Sequence, residues 1–225
     1  MDLRRATPEY ISIDSFSRLP MTLREASAMV FRLGEADGTG TQFSIVRVDG
    51  RLRDFFAFDD DTFGSTQVET YLPEASARTL FPFSLVDRSS EMNAVNLAFA
   101  SGVVTEALEL DQPPAIPATG RGLYSFSFRP HSSLDAVLHH RAGQVEVDAM
   151  FVGRRRGRQC LFVLEAKLGG SAGSLALHKL AYPCLAFREL ARMICQSCLS
   201  ICALLVLMIA PVATSPCFKR FPRGS

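Results

Sequence analysis

Apolar and polar positions change their spacing several times along this chain, and each change predicts an element. Thr22 to Glu25 has capping-box spacing, and Ala26, Met29, Val30 and Leu33 recur at helical intervals, which predicts a short helix from about Leu23 to Leu33. Gly34 and the cluster Asp37-Gly38-Thr39-Gly40 end it. Gln42 to Val48 alternates as a strand, Asp49-Gly50 is a hairpin turn, and Leu52 to Phe58 returns as the partner strand. Asp59-Asp60-Asp61 then breaks the pattern. Consecutive carboxylates lack metal-ligand spacing, so the triplet reads as a solvated turn.

Ser89 or Ser90 caps a second helix, whose apolar face runs through Val95, Leu97, Ala98, Val103, Val104, Ala107 and Leu108, with an interruption at Ser101-Gly102. Gln112 to Gly122 carries three prolines and two glycines and reads as a loop. Leu123 to Phe128 alternates as a strand, and Leu134 to His140 reads as a short helix. From Gln144 the period becomes two again. The expected class is α/β (α+β), a mixed central sheet flanked by helices. It divides into an N-terminal lobe over residues 1–85, a core over 86–212 and a tail over 213–225.

Candidate chemistry gathers in this last alternating stretch. Val145, Val147 and Ala149 alternate with Glu146, Asp148 and Met150, which places both acids on one strand face. After a turn suited by Gly153 and Gly157, Leu161, Val163, Glu165 and Lys167 share a face opposite Phe162, Leu164 and Ala166. A hairpin brings Asp148, Glu165 and Lys167 together at one sheet edge. Phosphodiester hydrolysis needs Mg²⁺ to polarise phosphoryl oxygens and generate hydroxide, and Mg²⁺ takes one or two carboxylates while keeping several waters. Asp148 and Glu165 supply carboxylates, the Ala166 carbonyl can reach the ion, and the Lys167 ammonium can orient water and stabilise the transition state. The plainer alternative is an amphipathic hairpin with a Glu165–Lys167 salt bridge. Against it stands a second strand otherwise apolar, on which an acid and a lysine have no structural task.

The order helix, strand with Asp148, hairpin, strand with Glu165-Ala166-Lys167, then helix resembles the PD-(D/E)xK nuclease superfamily, restriction endonuclease-like, over roughly Ser89 to Ala210. The resemblance implies a mixed four-stranded sheet flanked by helices, a Mg²⁺ cofactor and DNA as substrate. Asp148 matches the family's aspartate, Glu165 its second acid and Lys167 its lysine; Val147 stands where a proline is usual. The family's further helix glutamate has two candidates here, Glu91 and Glu106, with Glu91 slightly favoured. Gln144 and Glu146 resemble a Gln-x-Glu-x-Asp variant, in which Glu146 supports the metal ligands. Lys179 or Tyr182 can take the polar position on the following helix. The implied function is a Mg²⁺-dependent endonuclease of restriction-modification type. A homodimer suits cutting of both strands. The alternatives are a nuclease-fold protein that binds DNA without cutting, and a membrane-tethered protein.

Charge sharpens this picture. The chain has 225 residues and a formal net charge of +1, so a nucleic-acid binder must concentrate its positive charge locally. Arg154, Arg155, Arg156 and Arg158 crowd the hairpin tip, with Arg141 near in sequence; they are either solvated turn charges or DNA phosphate contacts. His139 and His140, on a helix, point about 100° apart and make a poor metal pair. All six cysteines lie at or after Cys160, with no even framework, which points to thiols in a reducing cytoplasm; the opening residues, without an apolar run followed by small residues, do not read as a secretory signal.

The C-terminal third is harder to read. Met193 to Phe218 carries no charge. It reads as a helix from Ser174 to about Cys198 followed by a strand near Ala203 to Ile209, as a membrane segment over 193–214, or as an atypical tail. Cys195, Cys198 and Cys202, with Cys217, fit buried thiols better than an iron–sulfur cluster.

Overall fold

A computed structural model describes residues 10–36, 40–64, 69–75, 77–86, 90–168, 173–194, 200–201, 205–210 and 217–218. Ser89, Cys195, Cys198, Cys202 and most of the tail beyond 213 lie outside them. In chain order the elements are α1 (Met21–Glu25), β1 (Ala28–Ala36), β2 (Gly40–Arg47), β3 (Phe56–Phe58), α2 (Asp59–Phe63), β4 (Glu69–Thr70), α3 (Ala77–Leu80), α4 (Glu91–Ala100), α5 (Val103–Ala107), β5 (Ala118–Phe128), β6 (Leu138–Arg155), β7 (Arg158–Leu168), β8 (Ser174–Ala176), α6 (His178–Ile194), β9 (Ser200–Ile201), β10 (Leu205–Ala210) and β11 (Cys217–Phe218). The fold is mixed α+β, with a mixed sheet flanked by helices. Two compact units divide it: Met1–Asp61 with Arg121–Glu146 and Ala172–Phe187, and Thr62–Gly120 with Val147–Ser171 and Arg188–Ser225.

In the first unit β1 and β2 form an antiparallel hairpin, paired from Ala28↔Arg47 to Ala36↔Gly40. The helix expected over Leu23 to Leu33 is therefore confined to Met21–Glu25, and Ser27, with φ +49°, turns the chain out of it. Ala28, Met29, Val30 and Phe31 are all buried in succession, a run that helical spacing and a buried strand share. The expected return strand from Leu52 is also corrected. Leu52–Phe55 is a 3-10 turn, and β3 pairs instead with β8, Phe56↔Ala176 to Phe58↔Ser174. Asp59–Asp61 opens α2, where carboxylates suit the helix N-terminus.

The helix expected over Leu134 to His140 is absent: residues 134–137 form no regular element and β6 begins at Leu138. His139 is exposed and His140 buried, on opposite strand faces, so the two cannot act as a pair. His140 donates from Nδ1 to the Tyr124 carbonyl (3.1 Å), and its Nε2 is buried without a partner among the described residues. The Nδ1 of His178 is sealed in the same way, although that residue keeps some surface. Both rings touch that of Tyr182, whose hydroxyl donates to the Arg32 carbonyl (2.9 Å). Burial pushes both imidazoles down, His178 to about 4 with help from the Lys179 charge. The folded protein thus holds these rings neutral, while the unfolded chain protonates them below about pH 6.5. Between pH 6.5 and 4 the unfolded state binds more protons, so stability falls as pH drops through that window, by up to about 3 kcal/mol from His178. Urea unfolding at pH 7 and pH 4.5 reads this loss, and His178→Phe is expected to shrink it.

In the second unit β6 and β7 pair antiparallel from Ala149↔Leu164 to Arg155↔Arg158. β10 lies parallel to β7, Leu205↔Leu164 to Ile209↔Leu168, followed by antiparallel β11 and β4. The strand expected near Ala203 to Ile209 is thus present. The helix before it starts later than expected, at His178, because β8 takes Ser174–Ala176; its expected end near Cys198 lies outside the described residues. Among the described residues no helix is long and apolar enough to cross a membrane, and the most apolar piece of 193–214 is a strand beside β7.

The helix capped at Ser90 is α4. The Ser90 hydroxyl accepts the Asn93 N–H (3.4 Å), and Gly102, with φ +84°, makes the expected break before α5. These helices bury Ala94, Val95, Ala98, Val103 and Val104 against Ala149 and Phe151 of β6 and Phe162, Leu164 and Ala166 of β7. Phe162 stacks on Phe151 with centroids 5.1 Å apart. This packing assigns the even-numbered residues of β7 to the core face and leaves Glu165 and Lys167 on the other.

Candidate active site

Four ionisable residues of the second unit converge. Lys167 lies 2.9 Å from the Glu165 carboxylate and 3.5 Å from that of Glu91, at the first turn of α4. Glu165 is buried, with 7% of its side chain exposed, and Lys167 keeps 18%. The ladder between β6 and β7 reaches Ala149↔Leu164. Beyond that pair the Asp148 carboxylate accepts the Ala166 N–H (2.7 Å). In an extended strand the N–H and C=O of one residue project to the same side, so the Ala166 carbonyl also faces the Asp148 side of β7.

Burial pulls the Lys167 ammonium down, but the charges of Glu165, Glu91 and Asp148 outweigh it and hold its pKa above the ordinary lysine range. Lys167 is therefore a fixed positive charge, suited to orienting water or stabilising an anion and unsuited to acting as a general base. Three carboxylates around one ammonium leave an excess of negative charge. Among the described residues no three His, Cys, Asp or Glu side chains form a metal-binding group by themselves. A cation here would be held by two carboxylates and a carbonyl, completed by water, which is the habit of Mg²⁺.

The arginine turn is built differently from a set of solvated charges. Arg156 (φ +52°) and Gly157 (φ +75°) are the two loop residues of a hairpin whose twist demands positive φ at both. The Asp111 carboxylate accepts the N–H of each, both at 2.8 Å. Glu109 pairs with Arg156 (3.2 Å) and Arg155 (3.5 Å). Those arginines, Arg156 first, hold the Glu109 carboxyl below the usual range. Arg154 donates to the Gly157 carbonyl (3.3 Å). Asp111→Ala is expected to lower the unfolding free energy by about 1–2 kcal/mol, read as a lower urea midpoint at unchanged m.

Gln144, Glu146, Arg141, Lys179 and Tyr182 belong to the first unit. Glu146 is exposed on β6; Gln144 is half-buried and Arg141 exposed. Lys179 pairs with Asp14 (3.2 Å), and Tyr182 belongs to the histidine cluster. Glu106 is exposed on α5, so of the two helix glutamates it is Glu91 that meets Lys167.

Glu109 and Asp111 escaped the sequence reading, since two acids before a proline-rich loop resemble any solvated turn. So did the group formed by Asp54, His131 and Ser133. The Ser133 N–H donates to His131 Nδ1 (3.1 Å), which makes that nitrogen an acceptor and leaves Nε2–H to donate to Asp54 (3.1 Å). The Ser133 hydroxyl adds 2.7 Å to the same Nδ1. Because the backbone and the side chain of Ser133 share one nitrogen, this group reads as a clamp on the turn before β6. Cys160 and Cys184 form no disulfide.

No curated protein and no solved structure matches this chain. A family of related sequences matches residues 59–202, more than half of the chain and the whole of the acid–lysine cluster and the arginine turn. The chain therefore belongs to the family described as Domain of unknown function (DUF6997).

Proposed function

We propose that the protein is a Mg²⁺-dependent nuclease of the PD-(D/E)xK kind that hydrolyses DNA phosphodiester bonds, as in restriction systems. The observation that carries this reading is Lys167 held by Glu165 and Glu91 beside an Asp148 whose carboxylate caps Ala166. Mg²⁺ fits these residues by donor chemistry and charge. Asp148, Glu165 and the Ala166 carbonyl would hold it, and when bound it supplies an activated water and a polarised phosphoryl oxygen.

The chain's own residues do the rest. Asp148 is aligned by its bond to Ala166, so that carboxylate is set before any ion arrives. Lys167, kept charged by three acids, orients the attacking water and meets the charge that develops on the phosphate. Glu91 holds the lysine from the helix side. The arginine turn supplies positive charge for the DNA backbone, and cleavage of both strands would call for two copies of the chain. The cytoplasm is the matching compartment, on the strength of the cysteine placement.

The deciding assay is cleavage of supercoiled and linear duplex DNA by the purified protein with Mg²⁺ and with EDTA. Nicking or cutting that needs Mg²⁺ is expected. Retention of DNA without any cutting would sink the enzyme and leave a binding protein.

A further inference from the structure

We propose that Glu109 is a built-in stand-in for a nucleic-acid phosphate, occupying Arg155 and Arg156 in the DNA-free protein until a backbone phosphate displaces it. The proposal rests on the nuclease reading for its ligand, but its argument comes from the turn itself.

The first observation is strain at both ends of one ion pair. Among the described residues the non-glycine positions with positive φ are Ser27, Glu109, Ala142 and Arg156, so two of them are partners of each other. Glu109 sits where α5 closes. Its N–H bonds the Glu106 carbonyl (3.1 Å) and the Leu110 N–H bonds the Thr105 carbonyl (2.9 Å), the pattern in which glycine usually holds the left-handed position. Arg156 occupies a loop position that asparagine or glycine usually fills. A side chain in this conformation costs of order 1 kcal/mol, and strain retained at both ends of one pair points to function.

The second observation is that the pair is incomplete. Oε2 of Glu109 meets both Arg155 (3.5 Å) and Arg156 (3.2 Å). Both contacts are longer than the roughly 2.8 Å typical of a charge-assisted bond. Arg155 Nε is buried and has no partner among the described residues. A phosphate brings several oxygens to these donors. Asp111 stays in place, because both of its oxygens are committed to backbone amides. Four arginines against two carboxylates leave a positive surplus, and release of Glu109 adds one charge to it.

The test is binding of a fluorescent DNA duplex, followed by anisotropy over a range of NaCl, with Ca²⁺ in place of Mg²⁺ to limit cutting. The proteins compared are wild type, Glu109→Gln and Glu109→Gly. Glycine suits the helix-closing position, so the second variant keeps the fold even if the first weakens it. Both variants are expected to bind about 5- to 10-fold tighter, with a slope of log Kd against log salt steeper by about one unit. DNA binding by both variants that is no tighter than that of wild type overturns the role of Glu109 and leaves the nuclease reading standing. Absence of DNA binding in all three proteins overturns both.

Discussion

Lys167→Met is expected to lower Mg²⁺-dependent cleavage of duplex DNA by about 10³-fold while DNA affinity stays within a few-fold of wild type. The magnitude is that of removing one preorganised group aimed at developing charge, roughly 10²–10³ in rate. Lys167 has been made a fixed charge by Glu165, Glu91 and Asp148, so under the proposed function its loss removes electrostatic stabilisation. The substitution also leaves the buried Glu165 without its cation, which can itself destabilise the fold.

Asp148→Asn separates the two effects. The amide oxygen can still accept the Ala166 N–H, so the local structure persists, but the charge for the metal is gone. It too is expected to lose about 10³-fold. Single-turnover rates, with an EDTA blank and a thermal melt for each variant, are the measurement. Mg²⁺-dependent cutting by both folded variants within tenfold of wild type would remove the assignment of this site.

Gly34→Ala is expected to destabilise the protein by roughly 4 kcal/mol or more, the largest stability effect foreseen. Gly34 has φ +88°, a conformation in which any Cβ is strained. It also makes a bridge pair between β1 and β6, Gly34↔Arg141. A Cβ there would overlap the Arg141 carbonyl and lie 2.8 Å from the Gly143 Cα. The obstacle is backbone on both sides, which cannot swing away as a side chain would. Gly143 has the matching constraint, since a Cβ on it would strike the His140 ring and approach Gly34 Cα at 2.7 Å. Urea unfolding of Gly34→Ala beside a control at the open Gly40 reads the difference. Equal midpoints would show that the close approach carries no stability.

The candidate site was legible because its information is local. Alternation over Val145 to Met150 and over Leu161 to Lys167 set the strand faces, and Glu165 and Lys167 stood out on a strand otherwise apolar. The break at Gly102 and the cap at Ser90 were legible for the same reason, since each is decided within one turn of chain. The arginine turn was half legible. Its charge is in the sequence, but the acids that hold it, Glu109 and Asp111, lie 45 to 47 residues earlier.

Misreadings fell where partners are distant or where one pattern serves two structures. Met29, Val30 and Leu33 fit a helix as well as a buried strand, and only pairing with Gly40–Arg47 chose the strand. Phe56–Phe58 follows a hairpin-like turn, yet it pairs with Ser174–Ala176, and no spacing near Asp49 encodes that. His139 and His140 sit on a strand because β5 pairs with β6, which put His140 in the core of its unit. By itself the sequence determined the mixed α+β class, the β6–β7 hairpin and the residue types at its edge, because side-chain period and turn chemistry are short-range properties. Only the tertiary structure decided which helix glutamate meets Lys167, which acids hold the arginines and which strands pair across the chain, because those choices are made by packing between segments far apart in sequence.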